Sequence, residues 1–155
     1  MLRLLTVMAV VGLWSSPSHG WAAETANAVP MSKTLIVLTL DSDDPVAIRA
    51  TSLAQPPGIL LEFPLKRVVG SLPERSVVGQ GVIQAIRTFY YRERAEGQSK
   101  RFIRSLHIGL SAPYAYRVRS QSGKIIVEID HPASVRSAQV EVGLKGGTII
   151  GDLQA

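Results

Sequence analysis

Apolar and polar residues alternate along two segments in the second half of the chain, residues 102–110 and 124–130. In the second segment isoleucine or valine occupies every other position from Ile125 to Ile129, and the opposite face carries two carboxylates. This two-residue period is typical of a half-buried β-strand. A proline, a short extended run over 114–118 and a Ser-Gln-Ser-Gly turn lie between the two segments. The pattern predicts two strands joined by a bent connection.

Similar short apolar segments recur along the rest of the chain, separated by turns rich in Gly and Pro. Residues 92–100 are polar and are predicted to form a hairpin loop, and residues 65–78 are predicted to hold one short helix at most. The sequence shows no long amphipathic helix pattern, so the spacing favours an all-β fold, either a sandwich or a barrel. The further strands are predicted over residues 33–41, 46–51, 59–63, 79–91, 139–142 and 145–153.

Two parts of the chain, residues 35–63 and 103–129, resemble each other in pattern. The run LTLDSDDPVAIR aligns with LHIGLSAPYAYR, and GILLEF aligns with KIIVEI, so that Glu62 matches Glu128. Each half then holds a strand, a proline bend, a short strand ending in arginine, a turn and an apolar strand. Because one half cannot bury its apolar face alone, we expect the two halves to form one core. A chance likeness between two hairpins is the alternative.

The first residues have the pattern of a secretory signal peptide. Arg3 precedes an apolar run of ten residues, and small residues follow it. A membrane span needs about 20 apolar residues, so this run is too short to be one; a buried N-terminal helix is the alternative. We predict a signal peptide and flexible lead over 1–28, cleaved between residues 20 and 28, and a single domain over 29–155. Export and the lack of cysteines together favour a periplasmic location.

The net charge of the chain is +5, and the basic excess is local. Six arginines or lysines lie within residues 87–104 against two glutamates, and Arg117 and Arg119 add to this excess. For an exported protein we expect no nucleic acid partner. Anionic envelope polymers or phospholipid headgroups fit the charge better, and a solvated charged surface without a ligand is the alternative.

The sequence shows no set of residues suited to catalysis, so we predict that the protein is not an enzyme and holds no metal or cofactor. His107 and His131 have no Cys or His partner at metal-ligand spacing. The acidic turn at 41–45 lacks the Gly and the Glu that a helix–loop–helix calcium loop needs at its sixth and twelfth positions. Nucleophile motifs and phosphate-binding glycine loops are also absent from the sequence.

The candidate ligand-binding residues are arginines and tyrosines in and after the basic segment. Arginine forks bind carboxylates through two hydrogen bonds, and tyrosine faces can stack on sugars. The alternatives are core tyrosines with their hydroxyls at the rim and solvated arginines on edge strands. The candidates are Arg87, Arg101, Arg104, Tyr114, Tyr116 and Arg117.

Five segments, in chain order, carry a resemblance to a known family: PPGILLEFP at 56–64, VIQAIR at 82–87, RFIRSLHIGL at 101–110, PYAYRV at 113–118 and GKIIVEI at 123–129. They resemble the AMIN domain, a module of bacterial N-acetylmuramoyl-L-alanine amidases and type IV pilus secretins. The likeness covers about residues 34–130 and lies in degenerate hydrophobic patterns. The chain departs from the family pattern at Gly58, Glu62, His107 and Gly109.

The resemblance implies a small β-sandwich of two roughly symmetric sheets. It also implies a non-catalytic periplasmic module that binds peptidoglycan or localises an envelope complex, with amidase, secretin or divisome components as further partners. Because no amidase or secretin domain is attached, we expect the module to act alone or as an adaptor. The alternative function is a protein–protein adaptor of a type IV pilus or secretion machine, which would offer a sheet edge to a partner strand.

Overall fold

The described part of the protein is built from strands alone. A computed structural model describes residues 29–41, 43, 46–64 and 67–151, except for the side chain of Thr148. The predicted signal peptide and lead, residues 1–28, lie outside the described residues. The ten strands are β1 Met31–Thr39, β2 Arg49–Ala54, β3 Pro57–Glu62, β4 Arg75–Gln80, β5 Ile83–Ala95, β6 Gln98–Leu110, β7 Tyr116–Gln121, β8 Lys124–Pro132, β9 Gln139–Gly143 and β10 Thr148–Gly151.

The strands form two sheets of five, which confirms the predicted all-β sandwich. The first sheet has the order β10-β9-β1-β8-β7, and the second has the order β2-β3-β6-β5-β4. Neighbouring strands are antiparallel except for β1 and β9. Nowhere in the described ranges does a helix long and apolar enough to cross a membrane occur.

The core lies between the middle strands of the two sheets, β1 and β6. Ile36 and Leu38 from β1 belong to the same buried cluster as Leu106 and Ile108 from β6, and all four are fully buried. The alternation of apolar residues along each strand sends every second side chain into this layer, as in packed sheets generally. The predicted inward face of the segment 124–130 is likewise fully buried.

The predicted internal repeat is confirmed by the strand order. β1 of the first half lies next to β8 of the second half, and β7 lies beyond β8. In the other sheet β6 of the second half lies next to β3 of the first half, and β2 lies beyond β3, so the two orders are equivalent. The hairpin registers also correspond, because Arg49 lies opposite Glu62 and Arg117 lies opposite Glu128. Each half contributes its long strand to one sheet and its hairpin to the other. The two halves are therefore interlocked through one core.

The predicted hairpin connection at residues 92–100 is confirmed, but the prediction that all of these residues form a loop is wrong. β5 and β6 continue through it and pair as far as Ala95 and Gln98. The connection is a two-residue turn in which Glu96 has φ 53° and Gly97 has φ 75°, the geometry that fits a tight hairpin. The sequence signal fails here because both faces of this hairpin are exposed, so no apolar alternation marks the strands.

The prediction for residues 65–78 also changes, since this segment contributes β4 rather than a helix among its described residues. The predicted strand over 79–91 is divided by a turn at Gly81, which has φ 54°. The predicted strand at 46–51 is displaced to Arg49–Ala54, and the last one is shortened to Thr148–Gly151, with residues 152 and 153 outside the description. β4 is an exposed edge strand, so its apolar period is weak.

Residues 67–74, which we call the strap, cross the buried side of the β5–β6 hairpin. Val68 forms a bridge with Ile103 on β6, and the carbonyl of Glu74 accepts a hydrogen bond from the amide of Thr88 on β5 at 3.0 Å. Between these points the hydroxyl of Tyr90 donates to the carbonyl of Leu72. The strap therefore links the two sides of the hairpin.

Candidate functional site

The β5–β6 hairpin reaches beyond the strands that flank it. β4 pairs with β5 as far as Arg87, and β3 pairs with β6 as far as Ser105. β5 and β6 go on pairing with each other to the turn. We call this protruding part, residues 88–104, the ribbon. A groove lies along each of its sides.

The groove on the β6 side has a volume of about 760 Å³. It begins where β3 ends, because the amide of Phe63 still bonds to the carbonyl of Arg104 and the chain then turns away. β2, β3, β5, β6 and the start of the strap all contribute to it. Its lining residues are Arg49, Glu62, Phe63, Pro64, Arg67, Tyr91, Glu93 and Arg104.

The groove on the β5 side has a volume of about 680 Å³. It begins where β4 starts and the strap ends, so that the edge of β5 beyond Thr88 is uncovered. β4, β5, β6 and the end of the strap contribute to it. Its lining residues are Glu74, Arg75, Arg87, Thr88, Phe89, Tyr90, Tyr91, Arg92 and Arg101.

An aromatic crest, formed by Tyr91 and Phe102, separates the two grooves. Tyr91 and Phe102 are cross-strand neighbours whose ring centroids lie 5.6 Å apart, and Tyr91 lines both grooves. The guanidinium of Arg67 lies 6.0 Å from the centre of the Phe102 ring and pairs with Glu93 at 2.8 Å. This side of the ribbon is therefore an apolar crest with charged walls.

The strap side of the ribbon carries a second aromatic contact. The guanidinium of Arg101 stacks 3.8 Å from the centre of the Tyr90 ring, at cation–π distance. Desolvation raises the pKa of Tyr90. The positive charge of Arg101 lowers this pKa, and the negative charge of Glu74 raises it. Tyr90 thus stays a neutral donor to the strap, and Arg101 is held at the rim of the β5-side groove.

Positive charge without a protein partner is concentrated in these grooves. Seven arginines line them against three glutamates. Of the seven, only Arg67 forms an ion pair within the described ranges, and Arg101 is stacked on a ring. The others are exposed and have no ion pair with any described acidic residue; they are Arg49, Arg75, Arg87, Arg92 and Arg104.

At the equivalent position in the other half of the repeat, the glutamate is paired with basic side chains. Glu128 accepts hydrogen bonds from Lys33 and from Arg117, the latter at 2.7 Å, and lies 3.7 Å from Arg119. Its repeat counterpart Glu62 has no ion pair among the described residues and lines the β6-side groove. The two halves have therefore diverged, because one neutralises its arginines internally and the other leaves them available.

The predicted ligand-binding residues fall into two groups. Arg87 and Arg101 lie in the β5-side groove, and Arg104 lies in the β6-side groove. The other three lie in or before β7, at the edge of the first sheet, and are not brought to the grooves. Of these, Tyr114 contacts His131 edge-on, Tyr116 packs half-buried against the core, and Arg117 pairs with Glu128.

Four groove arginines are absent from the predicted ligand-binding residues: Arg49, Arg67, Arg75 and Arg92. Arg92 lies within the basic segment 87–104 that the sequence marked. The repeat offered a signal for Arg49, since it aligns with Arg117. No such signal marked Arg67 or Arg75, because Arg67 starts the strap and Arg75 starts the unpredicted strand β4.

His107 lies beside the β5-side groove, paired in register with Arg87 across the sheet. Desolvation lowers the pKa of His107, and the positive charge of Arg87 lowers it further. Its Nε2 atom is buried without a hydrogen-bond partner, because the ring packs over Gly58, where a Cβ atom would lie 2.6 Å from it. The lowered pKa means that the ring adds no positive charge next to Arg87 at neutral pH.

The Glu128 cluster gives a pH-dependent prediction. The hydrogen bond from Lys33 is the main factor that lowers the pKa of Glu128; desolvation opposes it, and Arg117 reinforces it. A lowered pKa in the folded state means that the stabilisation is present above the ordinary pKa and is lost as the pH falls through the folded value. Glu128→Gln should therefore lower the Tm at pH 7, and the difference from the parent protein should shrink toward zero in acid.

Thermal unfolding between about pH 7 and pH 2 measures this effect. Glu141→Gln, at an exposed position of β9 in the same sheet, is the matched control and should change the Tm little at any pH. A Tm difference for Glu128→Gln that stays constant across this pH range would contradict the role given to Lys33 and Arg117.

Comparisons with known proteins do not assign this site. A scan against protein-family models, a search of characterised proteins and a search of solved structures each found no match. In the part of the chain that the structure describes, no group of three or more His, Asp or Glu side chains is placed to hold a metal ion. The resemblance to the AMIN domain stays a prediction from the sequence patterns.

Proposed function

We propose that this chain is a non-catalytic, exported module that binds peptidoglycan through the two grooves beside the ribbon. The observation that carries the proposal is the set of five exposed arginines that have no ion pair with a described residue and that flank an aromatic crest. Like charges in such a set repel one another and destabilise the folded protein, and a bound ligand with carboxylates reduces this repulsion.

The chemistry of the grooves fits such a polymer. Arginine forks bind carboxylates through paired hydrogen bonds, and peptidoglycan carries carboxylates on its lactyl groups and stem peptides. Tyr91, which is half-buried beside the buried ring of Phe102, offers an aromatic surface at the crest against which a sugar ring can pack. The AMIN-like sequence patterns and the predicted signal peptide agree with a periplasmic role of this kind.

The second candidate is a protein–protein adaptor that offers a sheet edge. β4 is an edge of the second sheet, and its Val77 is 78% exposed, more than any other described large hydrophobic residue. An uncovered edge strand of this kind can pair with a strand of a partner.

Sedimentation with purified sacculi tests the first proposal. We expect the protein to stay bound at about 0.5 M salt, where the Debye length is about 4 Å and loose charge attraction is screened. Arg87→Gln with Arg104→Gln removes one arginine from each groove and should lower the retained fraction at least about tenfold, since each lost charged contact is worth about 1.5–3 kcal/mol.

The matched control is Arg94→Gln with Lys124→Gln, which removes the same charge from exposed positions outside both grooves. This control should bind sacculi like the parent protein. Absence of retention by the parent protein would reject peptidoglycan binding and leave the adaptor as the better candidate. Equal loss in both variants would show that net charge, and not the grooves, is responsible.

A further inference from the structure

We infer that one ligand segment occupies both grooves at once, crossing the Tyr91–Phe102 crest, so that the recognised unit is an extended polyanion about 19 Å long rather than a single sugar or amino acid. This inference rests on the proposed function and adds the size of the ligand to it. Three features of the site support it: its width, its continuity and the distribution of its charges.

The width follows from the strand order. Arg49 lies on β2 and Arg75 on β4, the two opposite edges of the second sheet. Four strand spacings separate them, and neighbouring strands lie about 4.8 Å apart, so the two arginines belong to strands about 19 Å apart. A small anion reaches only one of these positions.

The continuity of the surface comes from Tyr91, which lines both grooves. The crest is made of aromatic rings and not of a charged wall, and the chain segments that could separate the grooves cross on the opposite side of the ribbon as the strap. A ligand chain can therefore pass over the crest while its anionic groups reach down on both sides.

The charges differ between the two grooves. The β5-side groove has four arginines and one glutamate, whereas the β6-side groove has three arginines and two glutamates, one of them paired with Arg67. The β5-side groove is thus the stronger anion site, and the β6-side groove is a weaker one. A ligand that reaches both of these unequal sites binds more tightly than a ligand held at one of them, because its second contact becomes intramolecular.

A length series of N-acetylated oligoglutamate peptides tests the span with a defined carboxylate polymer. An extended peptide covers about 3.3–3.6 Å per residue, so about six residues are needed to reach 19 Å. We expect the affinity to rise about 100-fold between four and eight residues and then to level off, which is the gain expected when two sites are joined. Fluorescence anisotropy at physiological salt gives the dissociation constants.

Variants of single grooves make the test specific. Arg75→Gln with Arg87→Gln changes the β5-side groove, and Arg49→Gln with Arg104→Gln changes the β6-side groove. Each should remove the rise between four and eight residues, while Arg94→Gln with Lys124→Gln should keep it. A second series of soluble peptidoglycan fragments, sorted by chain length, should show the same rise and should additionally weaken with Tyr91→Ala.

The outcomes separate the two proposals. An affinity that grows evenly with ligand charge and has no plateau, or a rise that survives in the single-groove variants, overturns the joint occupation of the grooves. If sacculi are retained but neither length series shows the rise, the inference fails and the proposed function stands. If the parent protein binds neither sacculi nor any probe, both fail.

Discussion

Leu106→Ala should lower the free energy of unfolding by about 2–5 kcal/mol, and Leu38→Ala should lower it by a similar amount. Both side chains are fully buried, and they occupy equivalent positions in the two halves of the repeat, on the central strands β6 and β1. Each substitution removes apolar contacts and leaves a cavity in the same layer. The two variants should therefore destabilise one common core.

Urea unfolding followed by circular dichroism measures this prediction. We expect a single transition for the parent protein and both variants, with lowered midpoints and similar slopes, because the interlocked halves share one core. Val77→Ala is the control, since Val77 is 78% exposed on β4 and its truncation should change stability by less than about 0.5 kcal/mol. Separate transitions for the two halves would contradict the single core.

Thr34→Val should lower the free energy of unfolding by about 1–3 kcal/mol, although the side chains have similar shapes. The hydroxyl oxygen of Thr34 lies 2.8 Å from Nε2 of His131, and both residues are fully buried. The same oxygen accepts a hydrogen bond from the amide of Ala138 at 3.3 Å. Because the carbonyl of Pro132 can only accept, Nδ1 of His131 is its donor at 3.0 Å, and Nε2 accepts from Thr34.

Thr34→Val leaves both Nε2 of His131 and the amide of Ala138 without this partner in a buried site. Thr51→Val is the matched control, because Thr51 is exposed on β2 and its replacement should change stability little. A double-mutant cycle with His131→Phe isolates the bond, since the loss from Thr34→Val should become smaller once His131 is absent. Equal losses in both backgrounds would show that the two side chains do not act together.

The divergence of the two halves is what marks the proposed binding surface in this pseudo-symmetric fold. Arg49 with Glu62 and Arg117 with Glu128 have the same register in equivalent hairpins. Lys33 and Arg119 complete the second pair, whereas the first opens onto a groove. The same backbone geometry thus yields a stabilising ion cluster on one sheet and available arginines on the other.

Much of the fold was predictable because burial leaves a period in the sequence. The alternation from Ile125 to Ile129 marks the inward face of β8, and the repeat between the two halves predicts that they share a core. The signal is lost where burial is lost. Residues 92–100 form a regular hairpin with both faces exposed, and β4 is an exposed edge, so neither carries the alternation from which strands are predicted.

By itself, the sequence determined the all-β class, the doubled architecture and the basic character of the segment that contains Arg87, Arg101 and Arg104. Only the tertiary structure decided that Arg87 and Arg104 lie in different grooves, that Arg117 is neutralised by Glu128, and that arginines distant along the chain complete the site. The physical reason is that hydrophobic periodicity reports which side chains are buried. The distance between exposed charges depends instead on strand order and register, which are set by the packing of the whole chain.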